Sequence, residues 1–342
     1  MRRLLCLLLA ACAASAAPKA LFYLTEDPKG VQSFLDHAAK IDIVVPTWYR
    51  VDADGNVSGG QNATVMDAAR RFHVPVMPII VNPGFNQDNF HQLVTSPAAR
   101  QKMIAYLVAE CARQRYIGIQ FDFENIIDTD RDALTTLVRE SAAALHRANL
   151  QLSIATVPNA PGRSGKGAFS KWIFANWRAA YDLKGIGDAV DLLCLMTYDE
   201  QTRYTPPGPV AGYIWTRDNL DYALKFVPKE KLSLGIPVYG YRWFAGDPGA
   251  EGKANIRAVT VSGLDVLQLI AQFQPDIQWD AADRSAFFYF YRDATREWVF
   301  YTDRRTFQER YDLAAAAGLQ GFCSWVLGQE DPAIWDALPE RR

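Results

Sequence analysis

The run Ile117-Gly118-Ile119-Gln120-Phe121-Asp122-Phe123-Glu124-Asn125 alternates apolar and polar side chains. Residues two apart share a face of a strand, so Ile119, Phe121 and Phe123 point one way and Gln120, Asp122 and Glu124 the other. Burying three polar groups costs free energy unless they have partners or a task. An isolated strand could turn that polar side to water. A strand covered by helices outside and by side chains inside could not, and Glu124 would then mark the point where the strand ends.

The surrounding pattern decides which strand this is. Eight short apolar runs recur: 20–24, 41–47, 74–81, 117–123, 151–157, 191–198, 231–239 and 320–327. Helical patterns lie between most of them, with 96–115 and 131–148 the clearest. Strict alternation implies parallel strands joined by crossover helices. Eight such units predict an α/β fold, a (β/α)8 TIM barrel. An open doubly wound sheet is the alternative, but no G-x-G-x-x-G follows the first run. One interval breaks the rhythm. About residues 244–302, a short helix at 264–273 and a hairpin at 286–291 and 297–301 predict a small α+β insertion after strand 7. Such a loop stands on the C-terminal face of a barrel and would wall the cleft.

Composition narrows the class. The chain has 342 residues, 49% of them hydrophobic, enough for one large domain. A formal net charge of −2 gives no basic stripe and no reason to expect nucleic acid. The first residues read as a signal peptide: Arg2 and Arg3, an apolar run from Leu4 to Ala11, and small residues at Ala14-Ser15-Ala16. The expected domains are therefore a signal at 1–17 and a barrel at 18–342. The chain is expected to be secreted or held in the cell envelope or periplasm. Leu9-Ala10-Ala11-Cys12 also matches a lipobox, which would make Cys12 a lipid anchor. No later stretch is expected to span a membrane. Cys111, Cys194 and Cys323 remain, an odd number read as small buried hydrophobes. The four histidines form no ligand pair, so no metal and no cofactor is expected. The run 128–132, rich in Asp, reads as the start of a helix.

The chemistry expected of the fourth strand follows from its spacing. Asp122 and Glu124 have Cα atoms roughly 6.5–7 Å apart. Like-charge repulsion should keep a proton on one of them near neutral pH. They are not an opposed acid and nucleophile, and a pair on one strand points to a substrate that supplies its own nucleophile.

This strand resembles the D-G-x-D-x-D-x-E signature of glycoside hydrolase family 18, the chitinase-like family. Gly118, Asp122 and Glu124 match; Ile117 and Gln120 stand where the family has Asp. The run 121–126, followed by Asp130-Arg131-Asp132-Ala133-Leu134, looks like the branch of spore-cortex-lytic, peptidoglycan-acting enzymes, in which an amide commonly occupies the position of Gln120. Met196-Thr197-Tyr198-Asp199 resembles the M-x-Y-D of strand six, and 321–328 resembles strand eight with its Trp at Trp325. Gly235-Ile236-Pro237-Val238-Tyr239-Gly240-Tyr241 resembles strand seven. The resemblance implies a glycosidase acting on an N-acetylglucosamine-containing glycan, peptidoglycan or chitin-like, by substrate-assisted catalysis with retention. It implies that Glu124 is the acid, that Asp122 and Tyr198 handle the acetamido group with Asp199, and that Trp325 floors the sugar. Gln120, Tyr241, Tyr23 and Trp48 are further candidate substrate contacts, with Asn82 and Phe85 weaker ones. The chain is expected to act as a monomer. The competing expectations are a lectin-like barrel without useful turnover and a metal-dependent deacetylase, which the missing ligand spacing opposes.

Overall fold

The computed structural model describes residues 17–243, 247–248, 254–255 and 258–341. The signal segment, with Cys6 and Cys12, lies outside them, as does part of the insertion. The barrel strands are β1 (Lys19–Leu24), β2 (Ile43–Pro46), β3 (Ile79–Val81), β4 (Gly118–Asp122), β5 (Gln151–Thr156), β6 (Leu192–Leu195), β7 (Leu232–Pro237) and β8 (Gly321–Trp325). Each expected apolar run contains one of them. Neighbours pair in parallel from β3 through β8, then β8 to β1 and β1 to β2.

Closure occurs between β2 and β3 in two pieces. Val44 bridges Val76, with Val44 N–H donating to the Pro75 carbonyl at 3.0 Å and Met77 N–H to the Val44 carbonyl at 3.0 Å. The chain then turns, the Trp48 N–H donating to the Pro46 carbonyl at 3.1 Å. Tyr49–Val51 resumes alongside β3, Tyr49 pairing with Ile80 and Arg50 with Val81. The sheet is therefore a cylinder with no long open edge.

Strand alternation sorts the core into two layers. Phe22, Ile119, Phe121, Phe123, Ile154 and Leu193 face the helices. Leu21, Tyr23, Val45, Ile79, Cys194 and Cys323 fill the barrel. The helix Pro97–Gln114 starts at Ser96, whose hydroxyl accepts from Ala99 N–H, and ends at Arg115 in the left-handed region (φ 61°). The helix Arg131–Arg147 follows a short 3-10 turn at Asp128–Asp130, so the acidic run does precede a helix. Cys111, Cys194 and Cys323 are buried and unbridged. No helix among the described residues is long and apolar enough to cross a membrane.

Among the described residues the insertion carries a five-stranded antiparallel sheet, in the order Val259–Val261, Gly240–Trp243, Thr295–Tyr301, Ser285–Arg292, Gln278–Asp280, and a short pair of Asp247–Pro248 with Ala254–Asn255. It begins at Gly240, a few residues earlier than the sequence pattern indicates. A Cβ at that position would press on the Phe300 carbonyl, so glycine lets the strand pair directly on leaving the barrel. The helix Gly263–Phe273 opens with a capping box between Ser262 and Asp265. Asp293 (φ 49°) and Ala294 (φ 61°) turn the hairpin with both centres left-handed, the geometry of a type I′ turn. Val261, Val266, Phe288, Phe290 and Val299 form the insertion's own core.

Gly118 is fixed by close approach: a Cβ there would overlap the backbone of Gln151 on β5. Gly118→Ala should lower stability by about 1–3 kcal/mol, as over-packing does. Chemical denaturation of the two proteins checks it; equal midpoints would contradict the register.

Candidate active site

The site is built at the C-terminal ends of the strands. Asp122 is the last residue of β4 and Glu124 lies two residues on, where the chain leaves the sheet. Val81 on β3 pairs with Asp122, so the ladder stops there. Asn125 then turns the chain in the left-handed region (φ 53°).

Two strands along the sheet, Tyr198 and Asp199 follow β6 through tight turns. The Thr197 N–H donates to the Leu195 carbonyl and the Tyr198 N–H to the Met196 carbonyl, both at 2.8 Å, while the Thr197 hydroxyl donates to the Gly235 carbonyl at 2.7 Å. Asp199 sits at φ 60° at the solvent edge. Its Oδ1 accepts from the Tyr239 hydroxyl at 2.6 Å and from the Tyr241 hydroxyl at 2.9 Å. Trp325 closes β8. Its ring lies 5.4 Å from that of Tyr23, and it borders both the barrel interior and the Tyr239–Tyr241–Trp243 cluster of the insertion.

The electrostatics are those of acids crowded in protein. Burial pushes the Asp122 carboxyl up to about 7. Glu124 is raised well above the ordinary carboxylate range by burial, then by the charge of Asp122, then by that of Asp199. Tyr198 is raised by burial and by the nearby Cys323, Asp122 and Glu124, so its phenol keeps its proton and remains a donor. Asp122 Oδ1 is buried without a hydrogen-bond partner. The site thus holds an acid pushed toward its protonated form, an unsatisfied acceptor beside it and a phenol donor. Together they can protonate one atom of a bound molecule while accepting an N–H from another.

The structure brings Glu124, Asp122, Tyr198, Asp199 and Trp325 together. Four of the expected substrate contacts are buried. Gln120 is wholly buried inside the barrel, its Nε2 donating to Ser153 Oγ at 2.8 Å and to Cys194 Sγ at 3.3 Å, one step deeper than Asp122. Trp48 packs among the helix-side residues, 6.0 Å from the Tyr116 ring, because the turn after Pro46 reverses its side. Tyr23 is buried beneath Trp325. Tyr241 is buried too, its hydroxyl spent on Asp199, so it holds a site residue instead of offering a face to a sugar. Sequence reasoning missed Tyr239 and Tyr181. Tyr239 shares a strand face with Tyr241, which was a usable signal. Tyr181, whose hydroxyl donates to the Phe123 carbonyl at 2.7 Å, comes from a distant loop with no local mark.

A parallel eight-stranded cylinder with an acid pair at its C-terminal mouth is the architecture of a barrel glycosidase. Residues 19–330 match the family described as glycosyl hydrolases family 18, and the chain belongs to that family. It is 27% identical to the cortical fragment-lytic enzyme of Bacillus subtilis over 84% of its own length and 62% of that protein's, so it spans less than two thirds of that relative. Among solved structures it is similar to a chitinase from Chromobacterium violaceum, at 28% identity and a TM-score of 0.81, covering 94% of this chain and 98% of that one. The fold is also that of the spore cortex-lytic enzyme SleL of Bacillus megaterium, at 23% identity and a TM-score of 0.82 over 94% of this chain and 73% of that one.

The raised Asp122 has a stability consequence. An unfolded aspartate titrates at about 3.9, whereas burial pushes this one up to about 7. The folded state binds the extra proton in that window, so Asp122 withdraws stability as pH rises through it. Asp122→Asn should therefore gain on the wild type in melting temperature between pH 4 and pH 8. A gap that stays constant or shrinks with pH would contradict the shift.

Proposed function

We propose that this chain is a retaining glycoside hydrolase that cleaves β-N-acetylglucosaminyl bonds in peptidoglycan or chitin-like glycans by substrate-assisted catalysis. The observation that carries the reading is the Asp122–Glu124 pair. Burial and the neighbouring acids raise the Glu124 carboxyl well above the ordinary carboxylate range, and Asp122 beside it is buried with an acceptor oxygen unsatisfied.

In this mechanism Glu124 protonates the glycosidic oxygen as the bond to the anomeric carbon breaks. The carbonyl oxygen of the 2-acetamido group attacks that carbon and forms an oxazolinium ring. Asp122 Oδ1 accepts the acetamido N–H and stabilises the positive ring, and the Tyr198 hydroxyl donates to the carbonyl oxygen. Glu124, now ionised, takes a proton from water, which opens the ring with net retention. Holding the internal nucleophile in place can contribute roughly 7–11 kcal/mol. Asp199 fits the role of orienting group better than that of nucleophile, since two phenols already draw on its Oδ1. Trp325 supplies the apolar floor.

Similarity to a cortical fragment-lytic enzyme and to a chitinase supports both polymers as substrates. Extracellular or envelope action accords with the signal-like first residues. One observation favours the second reading, a binding barrel with little turnover: Gln120 donates away from Asp122 and leaves it unsupported from below.

Glu124→Gln should lower turnover of N-acetylglucosamine oligomers by about 10²–10⁴-fold, with binding retained. Undiminished turnover would remove the reading. Proton NMR of the first product should show the β-anomer, and initial α-anomer would exclude the acetamido route. Mass spectrometry of products from both polymers identifies the substrate.

A further inference from the structure

The acid's backbone is held by a side chain that none of the comparisons assigns. β3 and β4 pair through Val81 and Asp122, after which both strands end. The residue that follows β3 is Asn82, which is 2% exposed. Its Oδ1 accepts from the Glu124 N–H at 3.1 Å, and its Nδ2 donates to the Glu124 carbonyl at 2.9 Å. A primary carboxamide carries the donor and acceptor of a peptide group. The Asn82 side chain therefore adds one more rung to the ladder, with an amide standing in for backbone, at the residue that bears the acid. On the far side, the Tyr181 hydroxyl holds the Phe123 carbonyl at 2.7 Å. Beyond it, Asn125 is tied down by its own Nδ2 on the Phe85 carbonyl at 2.9 Å and by Gln87 Nε2 on its Oδ1 at 3.0 Å.

We propose that Asn82 is a positioning residue for proton donation: its carboxamide fixes the Glu124 backbone beyond the end of the sheet, and so fixes where the carboxyl meets the leaving oxygen. The inference rests on Glu124 being the acid. The residue type is constrained by the geometry. Aspartate keeps the acceptor for the Glu124 N–H but loses the donor to its carbonyl. Leucine loses both. Glutamine is one methylene too long for a rung between adjacent strands.

Leaving-group dependence tests it. A dinitrophenolate departs without a proton, whereas a sugar alkoxide needs one. Wild type, Asn82→Ala, Asn82→Asp and Glu124→Gln are compared by kcat/KM on the 2,4-dinitrophenyl β-glycoside of di-N-acetylchitobiose and on tri-N-acetylchitotriose. Asn82→Ala should lose about 10–100-fold on the trimer, as misplaced catalytic groups do, and less than about threefold on the dinitrophenyl substrate. Glu124→Gln should show the same pattern, larger. Asn82→Asp should lose selectively on the trimer and move the basic limb of its pH profile upward, because an added carboxylate disfavours ionisation of Glu124. It also covers the case in which the alanine variant does not fold, as judged by circular dichroism. Equal losses on both substrates, or none on either, in a folded Asn82 variant would overturn the inference. If Glu124→Gln shows leaving-group dependence and the Asn82 variants do not, only the role of Asn82 falls. If Glu124→Gln leaves the trimer untouched, the underlying reading falls with it.

Discussion

Two carboxyl groups on consecutive inward positions of one strand, at the mouth of a closed cylinder, are the constraint around which this molecule is arranged. In water such a pair would ionise and separate. Here β4 fixes Asp122 and the chain carries Glu124 two residues past the strand's end, while the helices on the outer face prevent the strand from turning its polar side to solvent. The repulsion is relieved by a proton instead of by movement, so protein surroundings and the neighbouring acids push Glu124 toward its acid form.

The rest of the mouth follows from that arrangement. A protonated acid is useful only at a fixed place, and Glu124 lies just past the last rung of its sheet. Side chains from other elements take over where backbone pairing stops: Asn82 just after β3 and Tyr181 from the loop before β6. Asp199 is treated the same way, its carboxylate pinned by Tyr239 and Tyr241 at the entrance to the insertion. The insertion is therefore more than a wall. Its first strand carries one of the two hydroxyls that hold Asp199, and its aromatic cluster backs Trp325 and Tyr198.

Much of this was legible in the sequence because it rests on period-two alternation and chain order, which are local. The eight strands, the insertion with its hairpin, the inward direction of Asp122 and the buried cysteines all follow from patterns a few residues long. The site beyond the acid pair was legible in part. Tyr198, Asp199 and Trp325 stand at or just past strand ends and lie close to one another and to the acid pair. Trp48, Tyr23 and Tyr241 were read as cleft residues from the same rule, and Gln120 from the face it shares with Asp122, yet all four are buried. Position at a strand end says nothing of depth, and a single turn at Pro46 is enough to send Trp48 to the other side of the sheet.

What the sequence by itself determined is which side chains share a face and in what order the strands come, since both follow from backbone geometry repeated along the chain. What only the tertiary structure decided is which of those side chains end at solvent and which are spent on one another. Asn82 reaches Glu124 and Tyr241 reaches Asp199 across some forty residues. Contacts of that span form only when the cylinder closes, and no local pattern records them.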